Sequence, residues 1–209
     1  MSNELSLWSL TMDGGYIMIP LALLLLLTIY VFTERCIVLA RASREDSTFM
    51  KRIRDYIHEG DIESAVSLCK KTDTPASRLI LKGVSRIGRP MNDVLVAIEN
   101  TGNIEVANLG KGLPWLSTTA AGAPMLGFLG TVVGMVQAFY AMASAGTAAN
   151  ITVLSGGIYQ ALVTTVAGLV VGIIALFAYN FLVARVNRIM NSLESKTMEF
   201  MDLLNEPTV

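Results

Sequence analysis

Between Lys111 and Arg185 the chain runs for 73 residues without a single Asp, Glu, Lys, Arg or His. One helix needs only about 20 apolar residues to cross the hydrocarbon core of a bilayer. Residues 112–184 therefore hold two crossings and the turn between them. A second uncharged run, residues 14–33, centres on LALLLLLTIYVF and is long enough for another crossing. Backbone polar groups in lipid must find partners inside their own segment, which points to helices. Composition agrees, because charged residues make up 16% of the 209 against about 25% in a soluble domain. The expected fold is all-α, an integral membrane protein with three transmembrane helices.

The first run differs from a cleaved leader. A leader has a basic segment ahead of its apolar core and a small-residue cleavage site after it. Here Glu4 and Asp13 precede the core, no Lys or Arg does, and the core ends in FTERC. It is expected to be a retained span. All 16 Lys and Arg lie between Arg35 and Lys111 or from Arg185 onward. Positive charge stays on the cytoplasmic side, so the N-terminus is expected outside. The expected layout is a periplasmic N-terminus over 1–15, a first span over 16–38 and a helical cytoplasmic insert over 39–112. A second span over 113–145, a periplasmic loop over 146–152, a third span over 153–184 and a cytoplasmic C-terminal helix over 185–209 complete it.

The insert reads as short helices. FMKRIRDYIHEG places Phe49, Ile53, Tyr56 and Ile57 on one helical face and ends at Gly60. Asp61 is a good cap for the next helix. Pro75 marks the start of a third, Gly88 and Pro90 its end, and Gly112 with Pro114 a bend before the second span. No GxGxxG or GxxxxGK[ST] loop occurs, and no Ser/His/Asp or Cys/His set or metal-ligand cluster stands out. Cys36 and Cys69 lack a metal or redox setting, and His58 reads as a solvated residue at a helix end. No enzyme activity, cofactor, metal site or nucleic-acid partner is expected.

The later spans differ in kind from the Leu-rich first. In the second, Ala123, Gly127, Gly130, Gly134, Ala138 and Ala141 recur every three or four residues and share a face. Thr131 lies beside it. In the third, Gly157, Ala161, Thr165, Gly168, Gly172 and Ala175 form a matching face. Small faces let helix backbones approach closely, the main source of packing where no water drives association. The polar residues Thr131, Gln160, Thr164 and Thr165 fall on these spans. A threonine can bond its own i−4 carbonyl and serve only as packing, but a glutamine amide cannot satisfy its four sites locally. Gln160 is expected to meet a bundle interior, a partner or a wet cavity. None of the four titrates, and a charge at the bilayer centre costs about 2.5–3.5 kcal/mol on insertion scales. If protons cross here, the titrating carboxylate belongs to another chain.

These residues resemble the ExbB/TolQ/MotA family of ion-driven motor subunits, and most nearly its ExbB-like and TolQ-like branch. The resemblance rests on APMLGFLGTVVGM in the second span and GGIYQALVTTVAGLVVGIIALFAYN in the third. GGYIMIPL at the start of the first span and the helical insert extend it over nearly the whole chain. It implies a ring-forming homo-oligomer, a pentamer, in the bacterial inner membrane. The second and third helices would surround the single transmembrane helix of an ExbD/TolR-type partner, whose membrane aspartate carries the proton. Thr131 and Thr165 would line the channel, with Gln160 and Thr164 as further candidates. Gly127, Gly130, Gly134, Ala161, Gly168 and Gly172 would serve helix packing. Proton flow would drive an outer-membrane process such as TonB-dependent import, with a TonB-like protein as a further partner. Many relatives carry glutamate where this chain has Gln160, which argues against an obligatory proton carrier at that position. A TolQ-like or gliding-type stator, a self-sufficient ion channel and a purely structural scaffold stay open as alternatives.

Overall fold

The computed structural model describes residues 14–43, 48–145 and 151–206. The expected periplasmic N-terminus, apart from Gly14 and Gly15, and nearly all of the expected periplasmic loop lie outside the described residues, as do the last three positions. Among the described residues every regular element is helical. A 3₁₀ turn (Gly15–Ile17) leads into α1 (Met18–Ala42), followed by α2 (Phe49–His58), α3 (Ile62–Thr72), α4 (Pro75–Val84), α5 (Met91–Leu109), α6 (Leu113–Ala145) and α7 (Ile151–Asn205). By length and composition three helices can cross a membrane: Gly15–Ala42, Leu113–Ser144 and Leu154–Asn205. The third is far longer than one crossing needs. It passes the charge boundary at Arg185 without a break, so the end of the third span is marked by charge and not by the backbone.

The contacts divide the chain into two units, one of Met1–Thr33 with Gly112–Phe181, the other of Glu34–Lys111 with Leu182–Val209. The first unit packs the start of α1 on α6 and α7. Leu21, Ala123 and Val171 form its buried centre, with Leu24, Leu25, Leu126 and Ala167 around them. Thr28 lies buried on α1 and donates to the Leu24 carbonyl at 2.8 Å. This i−4 bond satisfies the hydroxyl without a partner helix. Ile19, Leu23, Leu26 and Tyr30 face outward. In water such a face is a liability; in lipid it is the expected surface.

The second unit is a set of short amphipathic helices. Phe49, Met50 and Ile53 are the buried residues of α2, and Gly60 at φ +75° ends it. Asp61 caps α3 by accepting the Ser64 N–H at 3.0 Å. The Ser64 hydroxyl donates to the same carboxylate at 2.6 Å, and this bond, with that of the Ser64 N–H, holds the Asp61 carboxyl below the usual carboxylate range. Thr74 and Ser77 close a reciprocal capping box around Pro75, which occupies a first-turn position where no N–H is required. The sequence places the end of α4 near Gly88, but the helix stops at Val84. Arg86 and Ile87 donate instead to the carbonyls of Gly83 and Val84, a tighter turn that finishes at Gly88 with φ +89°. Likewise Gly112 at φ +86° separates α5 from α6 outright, and Pro114 falls in the first turn of α6.

Arg78 ties three helices of this unit together. Its guanidinium grips both oxygens of Glu105 on α5 at 2.8 and 2.7 Å and reaches Asp73, the left-handed residue ending α3, at 2.8 Å. A planar guanidinium matches a carboxylate in this two-pronged way, and a lysine would not. Deeper in, Gly83 lies against Phe200 of α7, which is fully buried. A Cβ at position 83 would overlap that ring and come within 2.8 Å of Ile98 Cδ1. We expect Phe200→Ala to cost about 3–5 kcal/mol, the usual penalty for emptying an aromatic site. The thermal unfolding midpoint in mild detergent reads it; an unchanged midpoint would mean that Phe200 is not central to this core.

Cys69 is buried on α3, and that burial pushes its thiol up from 9.0 to about 11. Since the folded value is the higher one, the stability tied to this thiol is complete below pH 9. It is lost as the pH rises towards 11. The thiolate is the reactive form, so Cys69 should resist maleimide at pH 7.5 in the folded chain and react once the chain is unfolded. Ready labelling of the folded chain would contradict this burial.

Candidate functional site

The two small faces meet each other. α6 and α7 lie antiparallel within the first unit, and the pairs of close approach run in opposite senses along the two helices. A Cβ on Gly172 would lie 2.6 Å from Pro124 Cγ and 3.1 Å from the Ala120 carbonyl oxygen. Pro124 has no N–H to give that carbonyl, its i−4 partner, so the opened backbone is covered by a residue with no side chain. One turn along, a Cβ on Gly168 would lie 2.6 Å from the Ala123 carbonyl oxygen and 2.8 Å from Gly127 Cα. Here the helices touch backbone to backbone. Further along, Gly134 faces Ala161 and Gly157, with Cβ-to-Cβ and Cβ-to-carbonyl distances of 3.0 and 3.1 Å. Ala123, Ala138, Ala161 and Ala175 are all buried.

Midway along this seam Thr131 and Thr165 come together, hydroxyl to hydroxyl. Thr165 also donates towards the carbonyls of Gly127 (3.2 Å) and Ala161 (3.3 Å). Thr131 reaches the same two carbonyls, each at 3.4 Å. Gly127 stands one turn before Thr131, and Ala161 one turn before Thr165. Each hydroxyl thus shares its own helix's i−4 carbonyl with the other helix. Thr164 donates to the Ala161 carbonyl as well, so three hydroxyl protons serve five oxygens, and both carbonyls already take helical N–H bonds. This cluster is rich in acceptors and poor in protons. Both threonines remain partly exposed, so the cluster lies open at one edge of the seam.

Thr164 and Gln160 are placed elsewhere. Thr164 is buried and donates to Ala161 O at 2.7 Å, and its side chain occupies the space beside Gly130, where any Cβ would overlap it. Gln160 turns towards the start of α1. Its amide nitrogen approaches Gly15, which stands at φ +68° and has no room for a side chain. A cavity of about 30 Å³ opens there, among residues that include Gly14, Tyr16, Gln137, Gln160 and Thr164. That is close to the share of one water molecule in liquid water. Gln137 is absent from the residues the sequence marks. Its signal was present, as a second amide in an uncharged span, but only the fold brings it to Gln160. Among the described residues no cluster of His, Cys, Asp and Glu has the makings of a metal site.

A family model described as the MotA/TolQ/ExbB proton channel family matches residues 71–195, more than half of the chain. An ExbB-like biopolymer transport protein of Synechocystis sp. is 30% identical over 90% of this chain and 72% of its own length. The biopolymer transport protein ExbB of Neisseria gonorrhoeae is 32% identical over 71% of this chain and 72% of its own. The Tol-Pal system protein TolQ of Haemophilus influenzae is 33% identical over 66% of this chain and 56% of its own. The matched region takes in the whole of α6 and the part of α7 that carries the threonine cluster and the glycine seam. The chain belongs to the MotA/TolQ/ExbB proton channel family.

Proposed function

We propose that this chain is the ring subunit of a proton-driven motor in a bacterial inner membrane, with Thr131 and Thr165 on its proton path. The observation that carries the proposal is the cluster in which those two hydroxyls meet each other and the carbonyls of Gly127 and Ala161. Family membership supports a multi-pass inner-membrane subunit that couples proton flow to work. The finer reading is ours. The N-terminus faces the periplasm, five copies form the ring, and the open edges of the seams turn towards an axial helix from an ExbD/TolR-type partner.

The chemistry follows from what the cluster lacks. Threonine does not titrate in the working range, so the cluster cannot store a proton. It can accept a hydrogen bond from a protonated carboxyl group and, with its hydroxyls turned, donate to the same group when ionised. An aspartate on the partner helix supplies that carboxyl. A proton crossing 100 mV releases about 2.3 kcal/mol, and a hydroxyl bond between membrane helices is worth roughly 0.6–2 kcal/mol. Bonds of this size are exchanged by one or two protons, so the partner helix moves from one subunit's cluster to the next. The output is an outer-membrane process such as TonB-dependent import. The relative named as a Tol-Pal protein keeps a TolQ-like role as the second reading.

Liposomes test this directly. The purified chain alone, under an imposed potential and with a pH dye inside, is expected to pass no protons. Addition of a single-span ExbD/TolR-type protein with a membrane aspartate should open the pathway. Steady conductance by the chain alone would overturn the need for a partner and favour a self-sufficient channel.

A further inference from the structure

Within the second unit a cavity of about 200 Å³ lies between the end of α1 and α7, lined by Leu39, Ala40, Ser43, Arg185, Arg188 and Ile189. Leu39 and Ile189 are its buried apolar side, and the exposed Arg185 and Arg188 are its basic side. Arg185 and Arg188 stand three residues apart, so they share a face of α7. Arg185 is also the first charge after the uncharged residues 112–184. That places the pair where hydrocarbon gives way to headgroups. Neither arginine is used by the proton path.

We propose that this cavity holds the headgroup phosphate of an anionic phospholipid of the cytoplasmic leaflet. Guanidinium groups bind phosphate oxygens through paired N–H donors, and the Ser43 hydroxyl offers one more donor at the same rim. Leu39 and Ile189 suit the glycerol backbone and the first methylenes of the acyl chains. A basic pocket between membrane helices on the cytoplasmic side is a chemically sound place for an anionic headgroup. The last turn of α1 presents carbonyl dipoles here, unfavourable to an anion, so the arginines must carry the attraction. The proposal rests on the membrane placement of the chain and not on proton conduction.

The test equilibrates the full chain with vesicles of equal parts phosphatidylglycerol and phosphatidylcholine, extracts it in mild detergent and counts retained lipids by native mass spectrometry. The wild type should retain phosphatidylglycerol over phosphatidylcholine by roughly fivefold or more, given the known attraction of basic residues to anionic headgroups. Arg185→Gln with Arg188→Gln should bring the ratio to near one. Ala40→Phe, which fills the cavity and keeps both charges, should do the same. Lys51→Gln with Arg52→Gln removes equal charge from α2 and should leave the ratio unchanged. If Ala40→Phe keeps full selectivity, the arginines form a diffuse basic surface and the site is refuted. If the arginine pair only holds the end of α1, the double variant loses stability while selectivity persists, which also refutes it. Displacement of the lipid by millimolar inorganic phosphate would reassign the cavity to a free anion.

Discussion

Replacing Gly168 with leucine is expected to abolish proton-driven function and to part α6 from α7. The first added carbon would land 2.6 Å from the Ala123 carbonyl oxygen and 2.8 Å from Gly127 Cα. Both are backbone atoms, which no rotamer change can move aside. Overpacking a filled core costs about 1–3 kcal/mol where neighbours can adjust, and here only separation of the helices relieves it. Separation would break the Thr131–Thr165 contact, because it sits one turn away on the same seam. A reporter pair checks the geometry. Cysteines in place of Gly134 and Ala161, whose Cβ positions lie 3.0 Å apart, should form a disulfide with Gly168 intact and fail to form it in the leucine variant. Leucine at Gly122 or Gly156, where a Cβ meets nothing within 4 Å, should leave the disulfide intact. Equal cross-linking in Gly168→Leu would show that the seam tolerates side chains and that the backbone contact is unimportant.

The second large effect concerns the hydroxyls. Thr165→Val keeps the shape of the side chain and removes the group that bonds Thr131 and the two carbonyls. We expect at least about a tenfold loss of proton-motive-force-dependent function at unchanged expression, the rate equivalent of roughly 1.4 kcal/mol. Thr131→Val should behave alike, and Thr165→Ser, which restores a hydroxyl, should recover most of the activity. Thr164→Val is the internal control. That hydroxyl donates to the Ala161 carbonyl, which Thr131 and Thr165 also reach, but valine still fills the space beside Gly130 and the Thr131–Thr165 pair stays, so its effect should be smaller than that of Thr165→Val. Full activity in Thr165→Val would remove the cluster from the proton path.

Much of this arrangement was legible before any coordinates. The helical class and the number of spans follow from the run of uncharged residues. The seam is legible because glycine and alanine at three- and four-residue spacing leave one face of a helix nearly bare, and two bare faces in one hairpin have each other to meet. Two things were not legible. The small-residue spacing already put Thr165 and not Thr164 on the seam, but that Thr165 meets Thr131 hydroxyl to hydroxyl while Thr164 lies over Gly130 depends on the rotation set by the backbone contact of Gly127 with Gly168. Gln160 was legible as unsatisfied but not as a neighbour of Gly15 and Gln137. That meeting depends on where the first span begins its helix, and a glycine pair ahead of α1 does not announce it. The end of α4 was misplaced for a similar reason, since a turn of 3₁₀ type at Ser85–Ile87 needs no proline or glycine to start it.

The central claim is that the hydroxyls of Thr131 and Thr165, and not those of their neighbours, face the carboxylate-bearing partner helix. Single cysteines at 131, 164 and 165, in a chain with Cys36 and Cys69 replaced by serine, can be paired with a cysteine one turn from the partner's membrane aspartate. Oxidation in membranes should join the partner to positions 131 and 165 and leave 164 unjoined. A partner cross-link at 164 alone, or cross-links only between copies of this chain, would contradict the account.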